Sequence, residues 1–130
     1  MAKPYIFKVK GLPPIKKSEK SMWATNVEQI KALKNAAKNA YAGPLLQRVK
    51  LKVTIFINEQ DKQGDLDNMI SGICDALQEP HKNVTPKTRK KYSVDELKPV
   101  FYKDDSQIIN IEAVIKSTDE KPHYIVTVSV

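Results

Sequence analysis

The segment from Val49 to Asn58 constrains the fold of this chain most strongly. Its odd-numbered residues up to Ile57 are all branched aliphatic, whereas most residues between them are basic or polar. A period of two is typical of a β-strand that has one face in the core and the other in solvent. The segment therefore predicts a long strand that lies over a hydrophobic core.

Two amphipathic helices are predicted on either side of this strand. From Asn26 to Tyr41 apolar residues recur at helical spacing, and Thr25 or Asn26 can cap the start. From about Asp65 to Gln78 the apolar residues again follow the i, i+3, i+4, i+7 rule. Opposite that apolar stripe lies a polar sector that could line a cleft, formed by Asp67, Asn68, Ser71, Asp75 and Gln78.

Three further strands complete the expected fold. An opening strand is predicted from Pro4 to Lys10, and two closing strands from Ser106 to Lys116 and from His123 to Val130. The 130 residues suffice for one core, so we expect a single domain over 1–130. The fold class is α/β (α+β): a β-α-β-α-β-β order in which a mixed sheet packs against two helices.

The charge of the chain favours a polyanionic partner. The formal net charge is +7 and lysine supplies most of the surplus, although composition alone does not choose between DNA, RNA and a membrane surface. Two stretches concentrate the cations. Residues 12–20 predict an exposed basic loop, and Pro80 to Lys91 carries five cations and no acidic residue, which predicts a mobile cationic loop.

The chain contains one cysteine, Cys74, which lies among apolar residues. A reduced and buried thiol is expected, and with it a cytoplasmic location. No stretch approaches the roughly 18 apolar residues of a membrane span, and Met1 to Lys10 lacks the apolar core of a signal peptide. We therefore expect no membrane partner.

Two acidic pairs stand where predicted elements begin. Asp65 and Asp67 mark the start of the second helix, and Asp104 and Asp105 precede a strand. Taken singly, the first pair is explained by helix capping, worth about 1 kcal/mol, and the second by a solvated turn. If the fold gathers Asp65, Asp67 and Asp105, their mutual repulsion favours a cation, for which Mg²⁺ (or Mn²⁺ as a substitute) is suited by its preference for oxygen ligands.

In order along the chain, Gly-Asp65-Leu-Asp67-Asn68, Asp75-Ala-Leu and Asp104-Asp105-Ser-Gln107 make the sequence resemble the RusA family of Holliday junction resolvases. The resemblance covers most of the chain, including an opening strand, a proline-containing loop and a closing hairpin. It implies a homodimeric, Mg²⁺-dependent endonuclease that cuts four-way DNA junctions. It also implies that three aspartates are catalytic and bind the metal: Asp65, Asp67 and Asp105. Asp75 and Asp104 would have supporting roles. Asp75 would face the cleft, and the Asp104 carboxylate would accept hydrogen bonds from loop N–H groups.

The chain departs from this family at two places. Ser71 stands where the family carries a catalytic lysine, so another cation would have to supply that charge; Lys62, Lys103 and residues 82–91 are candidates. A basic insertion at about 80–100 lies beside the predicted site. It is either a solvated loop or a segment that binds the phosphates of the junction. The residues expected to bind DNA are Lys16, Lys17, Lys62, Lys87, Arg89, Lys90, Lys91 and Lys103.

Three functions are compatible with these features. The first is a metal-dependent endonuclease that resolves branched DNA as a homodimer. The second is a junction-binding or DNA-binding protein of the same fold whose catalysis is impaired. The third is a basic RNA-binding module, which would need exposed aromatic residues for stacking, and the predicted strands offer few of them.

Overall fold

The computed structural model describes residues 3–16, 21–58 and 66–130. Within these ranges, the long elements follow the order predicted from the sequence, and the α/β class with a mixed sheet is confirmed. The elements are β1 (Tyr5–Lys10), α1 (Met22–Thr25), α2 (Val27–Ala40), β2 (Val49–Ile57), α3 (Leu66–Leu77), α4 (Pro86–Arg89), β3 (Ile108–Ser117) and β4 (His123–Ser129). Among the described helices none has the length and apolar character needed to cross a bilayer.

The described strands form one sheet in the order β1-β4-β2-β3. Strand β4 runs antiparallel to both of its neighbours, and β3 lies parallel to β2 at the outer edge. The prediction of a closing hairpin is therefore wrong, because β2 separates the two last strands. The parallel pairing of β2 with β3 requires a crossover connection, which contains α3. After β3, the turn at 118–122 passes the end of β2, and β4 pairs with β2 on the side opposite β3.

The core lies between one face of the sheet and the two long helices. The alternation predicted for β2 is confirmed, since its residues from Val49 to Ile55 that point to the helices are at most 2% exposed. Helix α2 contributes Ile30 and Leu33, which are fully buried, and α3 contributes Ile73 and Leu77. Burial of these side chains is what fixes α3 on the sheet, with its polar sector turned away from it.

The segment predicted as a basic loop at 80–100 contains secondary structure. Helix α4 begins after Thr85, whose hydroxyl accepts the N–H of Thr88 at 3.2 Å, and Pro86 occupies the first helical position. Tyr92 is buried, and its hydroxyl donates to the Trp23 carbonyl at 2.5 Å. The prediction of a loop from Pro80 to Lys91 is therefore wrong at α4, where Thr85 followed by Pro86 is a helix-start signal. A helical turn expected at Ser93 to Leu97 is present over Asp95–Leu97.

An aromatic cluster holds the chain just before the second acidic pair. Phe101 has a positive φ of 70°, which is uncommon outside glycine, and its ring is fully buried. It stacks on Tyr41 with the ring centroids 5.0 Å apart and on Phe7 at 5.9 Å. These contacts compensate for the backbone conformation that turns the chain toward the end of α3.

Candidate functional site

Helix α3 presents a stripe of polar residues along one side. Asp67, Ser71 and Asp75 are four residues apart in sequence, so each is rotated by only about 40° from the previous one and lies about 6 Å further along the axis. Asp67, in the first turn, and Ser71 are exposed, whereas the side chain of Asp75 is 8% exposed. We call Asp67, Ser71 and Asp75 the α3 stripe.

The second acidic pair is brought to the C-terminal end of this stripe by pairing of the backbone with α3. The Val100 N–H donates to the Leu77 carbonyl at 2.9 Å, and the Glu79 N–H donates to the Lys103 carbonyl at 3.0 Å. The buried Tyr102 hydroxyl donates to the Cys74 carbonyl at 2.7 Å. Asp104 therefore lies directly beside the last turn of α3.

A capping box fixes the turn that carries Asp104 and Asp105. An Asp104 carboxylate oxygen accepts the Ser106 N–H at 2.9 Å, and the Gln107 side chain accepts the Asp104 N–H at 3.0 Å. The Gln107 amide also donates to the carbonyls of Leu46 (2.9 Å) and Gln47 (3.0 Å). The spacing Asp-x-x-Gln is the sequence signature of such a box, so this arrangement could have been predicted.

Gln78 connects the α3 stripe to this turn. Its amide nitrogen donates to the Asp75 carboxylate, and its amide oxygen accepts the Asp105 N–H at 2.8 Å. Both residues are mostly buried, with 5% of Gln78 and 6% of Asp75 exposed. Gln78 consequently fixes the Asp105 backbone relative to the Asp75 carboxylate.

The electrostatic environment of Asp105 favours a bound cation. Burial raises its pKa above the ordinary aspartate value, and the neighbouring Asp104 and Asp75 raise it further. The pKa of Asp104 is lowered instead, mainly because its carboxylate accepts the Ser106 hydrogen bonds. A carboxylate crowded by other carboxylates binds a proton or a cation more readily, and carboxylate oxygens are the ligands that Mg²⁺ prefers. The donor chemistry of this cluster therefore fits Mg²⁺.

The predicted metal ligands are only partly described. Asp65 lies outside the described residues, as do Lys17 and Lys62 of the predicted DNA-binding set. Asp67 lies about 12 Å along the helix axis from Asp75. In the described ranges the carboxylates acting on Asp105 are those of Asp75 and Asp104, so the structure brings Asp105 to the last turn of α3 and not to Asp67 in the first turn. Within those same ranges no three His, Cys, Asp or Glu side chains lie close enough together to hold an ion by themselves.

The cations predicted to bind DNA differ in their exposure and in the groups that they contact. Lys87, Lys90 and Lys91 are exposed, and Lys103 forms an exposed ion pair with Glu79 at 3.8 Å. The Arg89 guanidinium is directed inward, since it donates to the carbonyls of Val84 and His81 at 3.0 and 2.8 Å. Two of these groups, Arg89 and Lys103, line a groove beside Asp104 together with Glu79, His81 and Lys82.

One of the predicted DNA-binding lysines reaches the α3 stripe itself. The Lys16 ammonium lies 3.8 Å from an Asp75 carboxylate oxygen. No sequence pattern indicates this pairing, because the two residues are far apart in the chain and residues 12–20 were predicted as an exposed loop. That prediction is wrong for Pro13 and Pro14, which are buried.

Neither a scan of the chain against protein-family models nor a search of curated proteins finds a match. The function proposed below therefore depends on the site geometry and on the motifs in the sequence.

Proposed function

We propose that this protein is a divalent-metal-dependent endodeoxyribonuclease that cleaves four-way DNA junctions. The observation that carries the proposal is the Gln78 bridge, which links the Asp75 carboxylate to the Asp105 backbone. The neighbouring Asp104 lines a groove together with Lys82, Arg89 and Lys103. A carboxylate cluster inside a basic surface is the arrangement required to hold a metal ion next to a DNA phosphate.

In this proposal Asp65, Asp67 and Asp105 hold Mg²⁺, for which Mn²⁺ can substitute. When bound, the ion would activate a water molecule and stabilise the leaving oxygen of the phosphodiester. Asp104 keeps the turn closed through its hydrogen bond to Ser106, and Asp75 keeps Gln78 oriented toward Asp105. These supporting contacts fix the backbone of the turn before any ion binds, so little reorganisation is needed.

The exposed lysines of the 80–100 segment would hold the arms of the junction. Lys87, Lys90 and Lys91 follow or lie in α4, and Lys103 stands beside Asp104. Contacts of this kind neutralise phosphates without reading bases, and each should contribute about 0.9 to the slope of log K against log salt on duplex DNA. Selectivity for junctions would then come from shape.

A homodimer would present two equal sites to a junction that is itself nearly twofold symmetric. Strand β3 supports this part of the proposal, because it is the outer strand of the sheet and leaves four large apolar residues exposed: Ile109 (55%), Ile111 (43%), Val114 (43%) and Ile115 (37%). An open and apolar edge strand is unfavourable unless a partner covers it. Antiparallel pairing of β3 with a second copy, centred on Val114, would bring Glu112 opposite Lys116 of that copy at both ends.

The proposed compartment is the cytoplasm. Cys74 is a buried thiol, and burial raises its pKa to about 12, with the Asp105 charge adding to the increase. A thiol in that environment is unreactive and suits a packing role in a reducing compartment.

A second candidate is a junction-binding protein with impaired catalysis. Ser71 favours it, because this exposed residue of the α3 stripe carries no charge at the position where the resembled family has a lysine. The two candidates predict equal binding and different cleavage.

The experiment that tests the proposal compares cleavage of a labelled four-way junction by the wild type and by Asp105→Asn, with Mg²⁺ and with EDTA. The matched control is Asp119→Asn, which changes an exposed aspartate in the turn after β3. We expect paired cuts that need Mg²⁺, persist in the control and fall by about 100-fold or more in Asp105→Asn. Tight junction binding by a wild type that never cuts, under varied metal and pH, would overturn the enzymatic proposal and support the binding protein.

A further inference from the structure

The segment from Pro13 to Lys16 is fixed across α3. The Lys16 N–H donates to the Asn68 carbonyl at 3.2 Å, and the two backbone groups of Ile15 bond to the Asn26 side chain at 3.1 and 3.2 Å. A Cβ atom placed on Gly72 would lie only 1.9 Å from the Pro14 carbonyl oxygen. The absence of a side chain at Gly72 therefore allows this segment, which we call the α3 strap, to touch the helix.

The α3 strap delivers one cation to the α3 stripe. Because its backbone is anchored at Asn68 and its ammonium is paired with Asp75, the Lys16 side chain spans the length of α3 between these two residues, which includes Ser71. Its charge also lowers the pKa of Asp105, opposing the effect of burial. The Lys16 side chain is 47% exposed whereas that of Asp75 is 8% exposed, so an anion can reach the ammonium from solvent.

Two other described cations near the cluster, Lys103 and Arg89, are engaged elsewhere. Lys103 pairs with Glu79, and Arg89 donates to two backbone carbonyls. Among the described cations, Lys16 is the one that forms an ion pair with a carboxylate of the α3 stripe.

We propose that Lys16 supplies the positive charge that contacts the DNA phosphate at the acidic cluster. A phosphate that enters a site lined by Asp75 and Asp105 is repelled unless a cation lies within a few ångströms, and Ser71 offers a hydroxyl without charge. On DNA binding, the exposed ammonium exchanges part of its contact with Asp75 for the phosphate. This inference rests on the proposed function, although its binding component can be measured without metal.

The test compares Lys16→Gln, which keeps most of the side-chain length, with Lys16→Arg and with the double variant Lys16→Gln/Ser71→Lys. The control is Lys8→Gln, on the exposed side of β1. Junction affinity is measured in EDTA over a range of salt concentrations, and the single-turnover rate is measured with Mg²⁺ at saturating protein. Urea unfolding shows that each variant is folded.

We expect Lys16→Gln to reduce the magnitude of the salt slope by about 0.9 and the single-turnover rate by about 100-fold. Lys16→Arg should retain most of both, and the lysine at position 71 should restore the rate. A Lys16→Gln variant that matches Lys8→Gln in slope and rate would overturn the inference and leave the proposed function intact. If the wild type does not cleave, the proposed function fails, and the salt slope in EDTA still decides whether Lys16 contacts phosphate.

Discussion

At the scale of single residues, Gln78 determines the geometry of the acidic cluster. It donates to Asp75 and accepts from Asp105, so it holds together a helix and a turn that are not adjacent in sequence. Its two polar groups are buried and both are satisfied, which makes any other rotamer unfavourable. Gln78 therefore fixes the Asp105 backbone relative to the Asp75 carboxylate, and the Tyr102 hydroxyl binds the Cys74 carbonyl in the last turn of α3.

Replacement of Tyr102 by phenylalanine should lower the free energy of unfolding by about 1 kcal/mol, because a buried hydrogen bond to the Cys74 carbonyl is lost. The matched control is Tyr124→Phe. In the described structure the Tyr124 hydroxyl is buried without a hydrogen-bond partner, so its removal should be neutral or stabilising. Urea denaturation of the two variants measures both effects, and equal losses of stability would contradict this account.

Lys34 gives the protein a pH-dependent stability. Its side chain is fully buried, and burial lowers its pKa from 10.5 to about 7, with the Lys38 charge adding to the decrease. Between about pH 7 and 10 the unfolded chain therefore binds a proton that the folded chain has released. The free energy of unfolding should then rise with pH, by up to about 1.4 kcal/mol per pH unit.

Urea unfolding at pH 7.0, 7.5 and 8.0 tests this dependence, below the range in which the Cys74 thiol and the tyrosines ionise in the unfolded chain. Lys34→Met keeps much of the side-chain volume and removes the titrating group, so its stability should change less over the same range. The same increase in the wild type and in Lys34→Met would show that another group is responsible.

At the scale of elements, the periodicity of apolar residues predicted which face of each long helix and of β2 is buried. The alternation over Val49 to Ile57 and the helical spacing in α2 and α3 place their apolar residues correctly, because burial of one face follows directly from the period. The α3 strap could not be predicted in this way. It depends on a glycine in α3 that meets a proline carbonyl from a distant segment, and no local pattern encodes that contact.

The close approach of the α3 strap makes Gly72 a sensitive position. Alanine in a helix interior normally stabilises a protein by about 0.5–1 kcal/mol relative to glycine. At Gly72 the new methyl group would collide with the backbone of Pro14, so Gly72→Ala should destabilise the fold instead. Thermal unfolding of this variant beside Ser71→Ala, at an exposed position one residue earlier, compares the two cases. A stabilised Gly72→Ala protein would mean that the strap does not lie on α3.

At the scale of the whole molecule, the order of strands in the sheet was the least predictable feature. Adjacent strands with a short polar turn favour a hairpin, but β3 pairs with β2 instead, and β4 lies between β1 and β2. The order of the strands depends on which of them can bury a side-chain face against the helices. The alternating residues of β4, Tyr124, Val126 and Val128, are fully buried in the interior of the sheet, whereas most of β3 is exposed.

The exposure of β3 leads to a prediction about oligomeric state. If a second copy covers this edge, Val114→Glu should convert a dimer to a monomer, because it places two carboxylates opposite each other on the axis. Ile6→Glu is the control, since Ile6 is 62% exposed on β1 at the other edge of the sheet. Sedimentation velocity should report a dimer for the wild type and for the control. A monomeric wild type, or a dimer that survives Val114→Glu, would exclude this interface.

In the proposed site, aspartates from the start of α3 and from the turn before β3 hold one metal ion. The most direct measurement of this central claim is the anomalous scattering of Mn²⁺ in a crystal of the protein. We predict a single strong peak with oxygen ligands at about 2.2 Å from both Asp67 and Asp105, completed by Asp65. A peak bound by Asp75 and Asp105 without Asp67, or no peak at either acidic pair at millimolar Mn²⁺, would contradict the claim.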